Sequence, residues 1–447
     1  MTALPESPIT FRFARRELDI DSGRVDLFWE VAHAGGSLIF QERFDFGPAT
    51  DPARLADDSL RAALSAALDL LHWIAGVSYW KLACRGRVEF LARAPTIVQG
   101  EFLEKLYREG LAELAWRNEL EWSWWPDFSS DAKDRSHQAG TPKLMNRALV
   151  PMGGGKDSLV ALERIRKSGV AADTVQVGQA PLIARVADAT GLPHRQIGRV
   201  LDPQLAALNR AGAINGHVPI TAINSAALAF AALWWDFDRV VFANERSASS
   251  PMPLEIAGVA VNHQYAKSWD FESGFDQRVR HDIAANLQVF SMLRCDSELA
   301  VCREFAQLNR YHSVFSSCNR NFHLDGPRTR RWCLNCPKCR FVFLGLAPFM
   351  SPQALRTIFG ADLLDDSDQQ SGFAALLELD GPRPFECIGE AAESRSALAA
   401  LATRPEWREH AVVQSLYRCL SGLEVAPLDD WLVAQGSHRI PDDLACA

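Results

Sequence analysis

Short apolar runs and longer amphipathic stretches alternate through the middle of the chain. Four runs have the length and apolar content of buried strands: "RALVPM", "DTVQVG", "HRQIGRV" and "RVVFANE". Four stretches have helical spacing: "DSLVALERIRKSG", "PLIARVADATG", "PQLAALNRAG" and "PITAINSAALAFAALWWD". The first of these places Leu159, Leu162 and Ile165 on one face and ends at Gly169. Strands that alternate with helices predict an α/β fold with a doubly wound parallel sheet.

The segments on either side of this pattern differ from it. Residues 1–140 are rich in tryptophan and mix strand-like with helix-like pieces, which predicts a separate α+β domain with most tryptophans in its core. The polar stretch "DFSSDAKDRSHQAGTPK" predicts a linker to an α/β domain at residues 141–350. Residues 351–447 are acidic and helical in pattern, which predicts a C-terminal packing region without chemistry.

Composition narrows the function classes. The 447 residues carry a net charge of −8, so we expect no nucleic-acid partner. The longest purely apolar run, residues 226–235, is shorter than the ~20 residues that cross a bilayer, and the N-terminal segment lacks an apolar leader. We therefore expect a cytoplasmic protein without a membrane partner.

A glycine loop follows the first strand of the α/β pattern. The sequence "MGGGKDS" fails the Walker A pattern, since Val150 stands at the earlier glycine position and Asp157 follows the lysine. It also fails the dinucleotide fingerprint, because Ser158 stands where the third glycine belongs. It resembles the Ser-Gly-Gly-x-Asp-Ser loop of the PP-loop ATP pyrophosphatases, with Gly153 in place of the first serine. A purely structural glycine turn is the alternative.

The resemblance to the PP-loop group implies a nucleotide site that cleaves ATP to AMP and pyrophosphate. Successive amides before a helix N-terminus favour an anion, Ser158 offers a hydroxyl, and Asp157 is expected to hold Mg²⁺. Ligands of such sheets bind at the carboxyl ends of strands. The predicted nucleotide-binding residues are Gly153, Gly154, Gly155, Lys156, Asp157, Ser158, Val177, Gly178, Asn244 and Glu245.

Cysteines predict a metal centre. Cys333, Cys336 and Cys339 have the spacing C-x2-C-x2-C, and Cys318 lies upstream, so four thiolates suit a structural Zn²⁺ ion. An iron–sulfur cluster also takes four cysteines, and spacing alone does not decide between them. A similar arrangement in the deazaguanine nitrile synthases, which belong to the PP-loop group, favours zinc. Two other cysteines are possible substitutes for Cys318: Cys295 and Cys302.

Polar groups between the two motifs supply candidates for proton transfer. The candidate catalytic residues are Asp157, Ser158, His217, His263 and Lys267. Either histidine is more often a hydrogen-bonded structural residue than a catalytic one. A basic cluster next to the cysteines has two readings, a contact to an anionic substrate or a solvated face: Arg328, Arg330, Arg331, Lys338 and Arg340.

Over nearly its full length, the chain resembles the UDP-N-acetylmuramoyl-L-alanyl-L-glutamate epimerase family. The resemblance includes "FRFARRELD", "NGHVPITAINSAA", "ANERSAS", the glycine loop and the triple-cysteine segment. It implies conversion of the terminal L-Glu of UDP-MurNAc-L-Ala-L-Glu to D-Glu, with ATP and Mg²⁺. The general base stays open among His217, His263, Tyr265, Lys267 and a cysteine. The rival hypotheses are another PP-loop ligase or nitrile or amide synthase, and a zinc-stabilised nucleotide-binding protein.

Overall fold

The computed structural model describes residues 9–120, 124–128, 139–322 and 330–444. Its strands are β1 (Thr10–Asp19), β2 (Arg24–His33), β3 (Gly36–Asp45), β4 (Arg87–Phe90), β5 (Arg147–Pro151), β6 (Ala171–Val177), β7 (His194–Val200), β8 (Arg239–Phe242), β9 (Glu255–Ile256), β10 (Val259–Ala260) and β11 (Gln288–Ser291). Its helices are α1 (Asp58–Ala75), α2 (Val77–Trp80), α3 (Ile97–Gly110), α4 (Ala112–Arg117), α5 (Lys156–Ser168), α6 (Pro181–Thr190), α7 (Pro203–Arg210), α8 (Ile220–Trp235), α9 (Trp269–Arg278), α10 (Glu298–Phe305), α11 (Pro337–Leu346), α12 (Pro352–Phe359), α13 (Gln370–Leu376), α14 (Ala391–Ala402) and α15 (Ala411–Cys419).

One large sheet organises the molecule. Within the described residues it has nine strands in the order β11-β8-β5-β6-β7-β3-β2-β1-β4. The five strands from β11 to β7 are parallel, which confirms the mixed α/β architecture predicted from the alternating pattern. Strand β3 pairs antiparallel with β7, so the N-terminal strands continue the same sheet instead of forming another one. This pairing covers an edge that would otherwise expose unpaired backbone groups.

The N-terminal part and the α/β part also share a core. Leu71 of α1 and Phe230 of α8 are fully buried in the same apolar cluster. At the end of α8, the indole of Trp234 donates to the Gly47 carbonyl oxygen (2.9 Å) and that of Trp235 to Phe46 (3.1 Å). The domain boundaries at residues 140 and 350 stay predictions, and residues 129–138 of the predicted linker lie outside the described residues.

One helical stretch, Asp58–Trp80, has the length and apolar composition of a membrane span within the described residues. Its most apolar window is 83% buried inside the protein, however, and core helices of globular proteins meet the same criteria. The apolar side chains of this stretch therefore have a packing explanation.

The predicted local elements around the glycine loop are present. Helix α5 buries Leu159, Leu162 and Ile165 and ends at Gly169, whose φ of +79° is the left-handed conformation that glycine adopts at helix C-termini. The region after residue 351 is helical, with α12 to α15, as its pattern predicted. Its apolar side chains join a second core cluster together with α5, α10 and α11.

Candidate functional site

A cavity of about 360 Å³ opens at the carboxyl ends of the parallel strands. Loop residues line one side of it: Gly153, Gly155, Asp157 and Ser158. Residues at or just after the ends of neighbouring strands line another: Val177, Ala243 and Asn244. The remaining wall includes side chains from distant parts of the chain: Asn224, Lys267, Ser317, Asn319, Lys338 and Cys387. The sheet thus brings the glycine loop, Lys267 and the cysteine segment to one place.

The backbone of the glycine loop depends on residues without side chains. Gly154 has a φ of +78°, and a Cβ atom on Gly155 would stand 2.7 Å from Ser317 Oγ. Gly153 has open space where a Cβ would be, so the serine of the related loops would fit there. Ser158 Oγ donates to the Gly155 carbonyl oxygen at 3.4 Å. Gly153 and Gly155, which have no side chains, line the cavity.

Lys156 does not line the cavity among the described residues. The residue is 1% exposed, and its ammonium group forms ion pairs with Asp157 and Glu298, the first residue of α10. Burial alone would lower the pKa of Lys156, but the two carboxylates hold it well above its ordinary value. Burial likewise opposes ionisation of Asp157, yet Lys156 brings the pKa of this carboxyl below its usual range. Asp157 is thus a carboxylate at the cavity wall.

Three other predicted nucleotide-binding residues, Gly154, Gly178 and Glu245, are not part of the described lining. Gly178 follows β6 with a φ of +82°. Glu245 is buried, and its carboxylate accepts from the Ala248 amide at 3.2 Å. Burial, followed by the charge of Glu298, raises the pKa of Glu245 to about 7. Their roles in nucleotide binding stay predictions.

The four predicted metal ligands converge. Sγ of Cys318 lies 3.9 Å from Sγ of Cys336. Sγ of Cys339 lies 3.8 Å from that of Cys333 and 3.5 Å from that of Cys336. Four thiolates bound about 2.3 Å from one tetrahedral zinc ion stand about 3.8 Å apart. The group is therefore a possible metal-binding centre that is compatible with zinc, and Cys318 completes it without Cys295 or Cys302.

The cysteine centre is joined directly to the cavity. The amide of Ser316, two residues before Cys318, donates to the Gly154 carbonyl oxygen at 2.9 Å. Ser317 and Asn319, on either side of Cys318, line the cavity, as does Lys338 between Cys336 and Cys339. A metal ion at the centre would hold this wall in place beside the glycine loop.

Lys267 and Cys387 meet on the wall of the cavity. The ammonium group of Lys267 lies 3.2 Å from Sγ of Cys387. Burial would raise the pKa of the Cys387 thiol, but Lys267, His263 and Lys338 bring it well below its ordinary value. Burial would lower the pKa of Lys267, and the charge of Cys387 raises it instead. The contact and the two pKa directions together favour a thiolate beside an ammonium ion.

A second group of side chains, Glu113, His217 and His263, lies next to Cys387 but is not part of the cavity lining. His263 Nδ1 is hydrogen-bonded to the carboxylate of Glu113, and the rings of His217 and His263 are 4.4 Å apart. Burial would lower the pKa of His263, but Cys387 and Glu113 raise it to about 9. Burial and then the charge of His263 lower the pKa of His217 to about 4.

The hydrogen bond between His263 and Glu113 guides the interpretation of this group. The ligand atoms of Glu113, His217 and His263 lie within 4.8 Å of one another, a spacing that a metal site also has. Two of these ligand atoms, His263 Nδ1 and a carboxylate oxygen of Glu113, are already hydrogen-bonded to each other. We therefore interpret the three side chains as a hydrogen-bonded support for Cys387.

Comparison with known proteins identifies the family. The family description "MurL N-terminal domain" matches residues 3–292, and "MurL C-terminal domain" matches residues 314–427. The chain belongs to the MurL family. A relative from Xanthomonas oryzae pv. oryzae is 45% identical over 97% of this chain and 96% of its own length. Relatives from Micromonospora and Salinispora tropica are each 37% identical, over 98% and 96% of this chain and 97% and 91% of their own lengths.

All three relatives are named UDP-N-acetyl-alpha-D-muramoyl-L-alanyl-L-glutamate epimerase. Membership of the MurL family makes this chain an enzyme of the isomerase class, as the sequence resemblance predicted. The match covers both halves of the chain, including the glycine loop in the N-terminal and the cysteine centre in the C-terminal family domain.

Three residues of the candidate site were not predicted from the sequence. Cys387 lies in the region predicted to pack without chemistry, and Glu113 lies in the N-terminal part. Glu298 is the partner of Lys156. A charged residue at a helix end is a weak sequence signal for Glu298. No local sequence pattern identifies Cys387 or Glu113.

The residues of the basic cluster next to the cysteines have different surroundings. Lys338 lines the cavity, but Arg331 donates to the carbonyl oxygens of His312 (3.2 Å) and Phe315 (3.0 Å). Arg340 donates to Gln369 and Asn335. Arg330 is exposed, and Arg328 lies outside the described residues. Only Lys338, among those described, faces the cavity.

Proposed function

We propose that the protein is an ATP-dependent, AMP-forming epimerase that converts the terminal L-Glu of UDP-MurNAc-L-Ala-L-Glu to D-Glu in peptidoglycan precursor synthesis. The observation that carries the proposal is one cavity that joins a phosphate-type glycine loop to a thiolate. The names of the relatives support the substrate. We also propose a PP-loop fold for the parallel sheet and a cytoplasmic location.

ATP in this proposal activates the glutamate carboxylate. The α-hydrogen next to a free carboxylate is very weakly acidic, because its removal places a carbanion beside a negative group. Transfer of AMP to the carboxylate removes that charge, and the α-hydrogen becomes far more acidic. Hydrolysis of the adenylate afterwards releases AMP and makes the epimerisation directional.

The residues of the cavity suit these steps. The amides of Gly153, Gly154 and Gly155 before α5 are expected to hold the phosphates, together with the hydroxyl of Ser158. Lys338 adds positive charge to the same cavity. Asp157 would bind Mg²⁺, which neutralises pyrophosphate as it leaves. Val177 and Asn244 are expected to contact the nucleoside.

Zinc is proposed as a structural ion at Cys318, Cys333, Cys336 and Cys339. The Sγ spacing supports one ion over a cubane cluster, in which each thiolate binds a separate iron and the thiolates stand farther apart. When bound, zinc would fix the position of Ser317, Asn319 and Lys338 rather than take part in the reaction.

The test is incubation of the protein with UDP-MurNAc-L-Ala-L-Glu, ATP and Mg²⁺. We expect AMP, pyrophosphate and, after acid hydrolysis, D-glutamate. AMP without D-glutamate contradicts the epimerase and supports a ligase or a nitrile or amide synthase. No nucleotide turnover contradicts the adenylation mechanism and supports a nucleotide-binding role.

A further inference from the structure

The cavity separates the candidates for the base that acts on the α-carbon. Of the described residues, Lys267 and Cys387 line it, whereas His217, His263 and Tyr265 do not. Tyr265 is buried, and its hydroxyl donates to Asp270 at 3.1 Å. A base must come within hydrogen-bond reach of the proton that it removes. By position alone, the remaining candidates for the base are Lys267 and Cys387.

The charges of the two side chains then decide between Lys267 and Cys387 as the base. The ammonium group of Lys267 donates to Sγ of Cys387 at 3.2 Å and therefore carries its proton already. A thiolate has free electron pairs, so it is the member of the pair that can accept a proton. The Cys387 loop is also held firmly, because Arg383 donates to the carbonyl oxygens of Gly389 and Ser250, both at 2.9 Å. Cys387 thus has the position and the electrons that a base needs.

We propose that Cys387 is the catalytic base that removes the α-proton of the adenylated L-glutamyl residue. This inference rests on the proposed function and names the group that the sequence left open. Lys267 holds the thiolate in its charged form, and His263 with Glu113 forms the positioning group behind it. The two lysines, Lys267 and Lys338, provide positive charge for the enolate that forms.

The proton transfer is balanced as follows. The Cα–H bond breaks, its electron pair moves into the enolate of the acyl adenylate, and an S–H bond forms on Cys387. Solvent water delivers a proton to the opposite face of the enolate, and the thiol returns its proton to solvent. Water then cleaves the acyl–phosphate bond and releases the D-glutamyl carboxylate and AMP.

The experiment measures adenylation and proton removal separately in the full-length, zinc-loaded protein. Substrate-dependent exchange of labelled pyrophosphate into ATP reports adenylation, and deuterium entry at the glutamyl α-carbon in D₂O reports proton removal. Cys387→Ser is expected to keep pyrophosphate exchange within a few-fold of the wild type. Its deuterium entry should fall about 10²–10⁴-fold, the usual contribution of a general base. The matched control is Cys419→Ser, an exposed cysteine on α15, which should change neither.

Each outcome has one meaning. Deuterium entry in Cys387→Ser at the wild-type rate overturns the assignment of Cys387 and leaves the proposed function standing. Loss of both reactions in a variant that unfolds at the wild-type temperature also overturns it, since Cys387 would then serve adenylation. A wild type with no pyrophosphate exchange contradicts the proposed function itself.

A second measurement covers a variant that fails to fold. Methyl methanethiosulfonate adds a small, removable group to accessible thiolates of the wild type, and peptide mass spectrometry locates it. Modification of Cys387 should abolish deuterium entry while pyrophosphate exchange continues, and dithiothreitol should restore it. Unchanged deuterium entry in protein fully modified at Cys387 overturns the proposal.

Discussion

The two sides of the cavity are built in different ways. The side proposed to bind phosphate is one contiguous loop, residues 153–158, that lies between a strand and the helix after it. The thiolate side takes Lys267 from a segment before α9 and Cys387 from a loop before α14, and Glu113 of α4 supports it through His263. Only the packing of the whole chain brings these three residues together.

This difference follows from what each side has to provide. A phosphate site needs backbone amides in a fixed turn, which a short run of glycines before a helix supplies locally. A base needs a shifted pKa, which depends on charges contributed by tertiary neighbours. The comparison also implies that the two sides serve separable reactions, and the following variants test this separation, starting with the largest effect.

The cysteine centre should affect both sides, because it supports the wall between them. In Cys339→Ser we expect zinc content to fall to the background level and both AMP formation and deuterium entry to fall to the detection limit. The reason is that loss of one thiolate releases the segment that carries Ser317, Asn319 and Lys338. Elemental analysis, a thermal unfolding curve and the two assays measure this.

Cys419→Ser is again the control for Cys339→Ser, since Cys419 is exposed and outside the centre. An unaltered metal content in Cys339→Ser would show that Cys339 is not a ligand. Iron in place of zinc in the wild type would contradict the assignment of the metal.

On the phosphate side, Asp157→Ala should lower AMP formation and pyrophosphate exchange together, by about 10²–10³-fold, the effect of losing one charged group at a reacting phosphate. Asp157 lies at the cavity wall and its side chain is 29% exposed, so the fold should remain. Asp188→Ala, at an exposed position on α6, is the control. Wild-type pyrophosphate exchange in Asp157→Ala would rule out the proposed role of the loop.

The same distinction explains what could be predicted from the sequence. The strands around the glycine loop, helix α5 and the four cysteines follow local rules of spacing and capping, so their positions were predictable. The role of Glu245 as a nucleotide contact stays a prediction, and its carboxylate accepts from the Ala248 amide. The pairing of β3 with β7 and the approach of Cys387 to Lys267 are long-range contacts, and no local pattern encodes them.

On the thiolate side, Lys267→Met should lower deuterium entry about 10²-fold at neutral pH, with a smaller effect on pyrophosphate exchange. The positive charge of Lys267 lowers the pKa of Cys387, so its removal raises that pKa and reduces the thiolate fraction. Deuterium entry in the variant should therefore rise with pH where that of the wild type is already level. A parallel loss at every pH would mean that Lys267 acts on the substrate and not on the thiolate.

The smallest effect is expected for Glu113→Gln. Glu113 does not line the cavity and acts on Cys387 only through His263. Glu113 raises the pKa of His263, so its neutralisation should lower that pKa and weaken the support of the Cys387 thiolate. We expect deuterium entry to fall by about tenfold, the lower end of the value of one hydrogen bond to a charged group, because Glu113 acts only through His263. Glu101→Gln, exposed on α3, is the control. A positioning role predicts that deuterium entry in the wild type falls as the pH approaches 9, where His263 loses its proton. In Glu113→Gln the same fall should begin at a lower pH. A pH profile of unchanged shape would instead assign Glu113 to the packing of α4 alone.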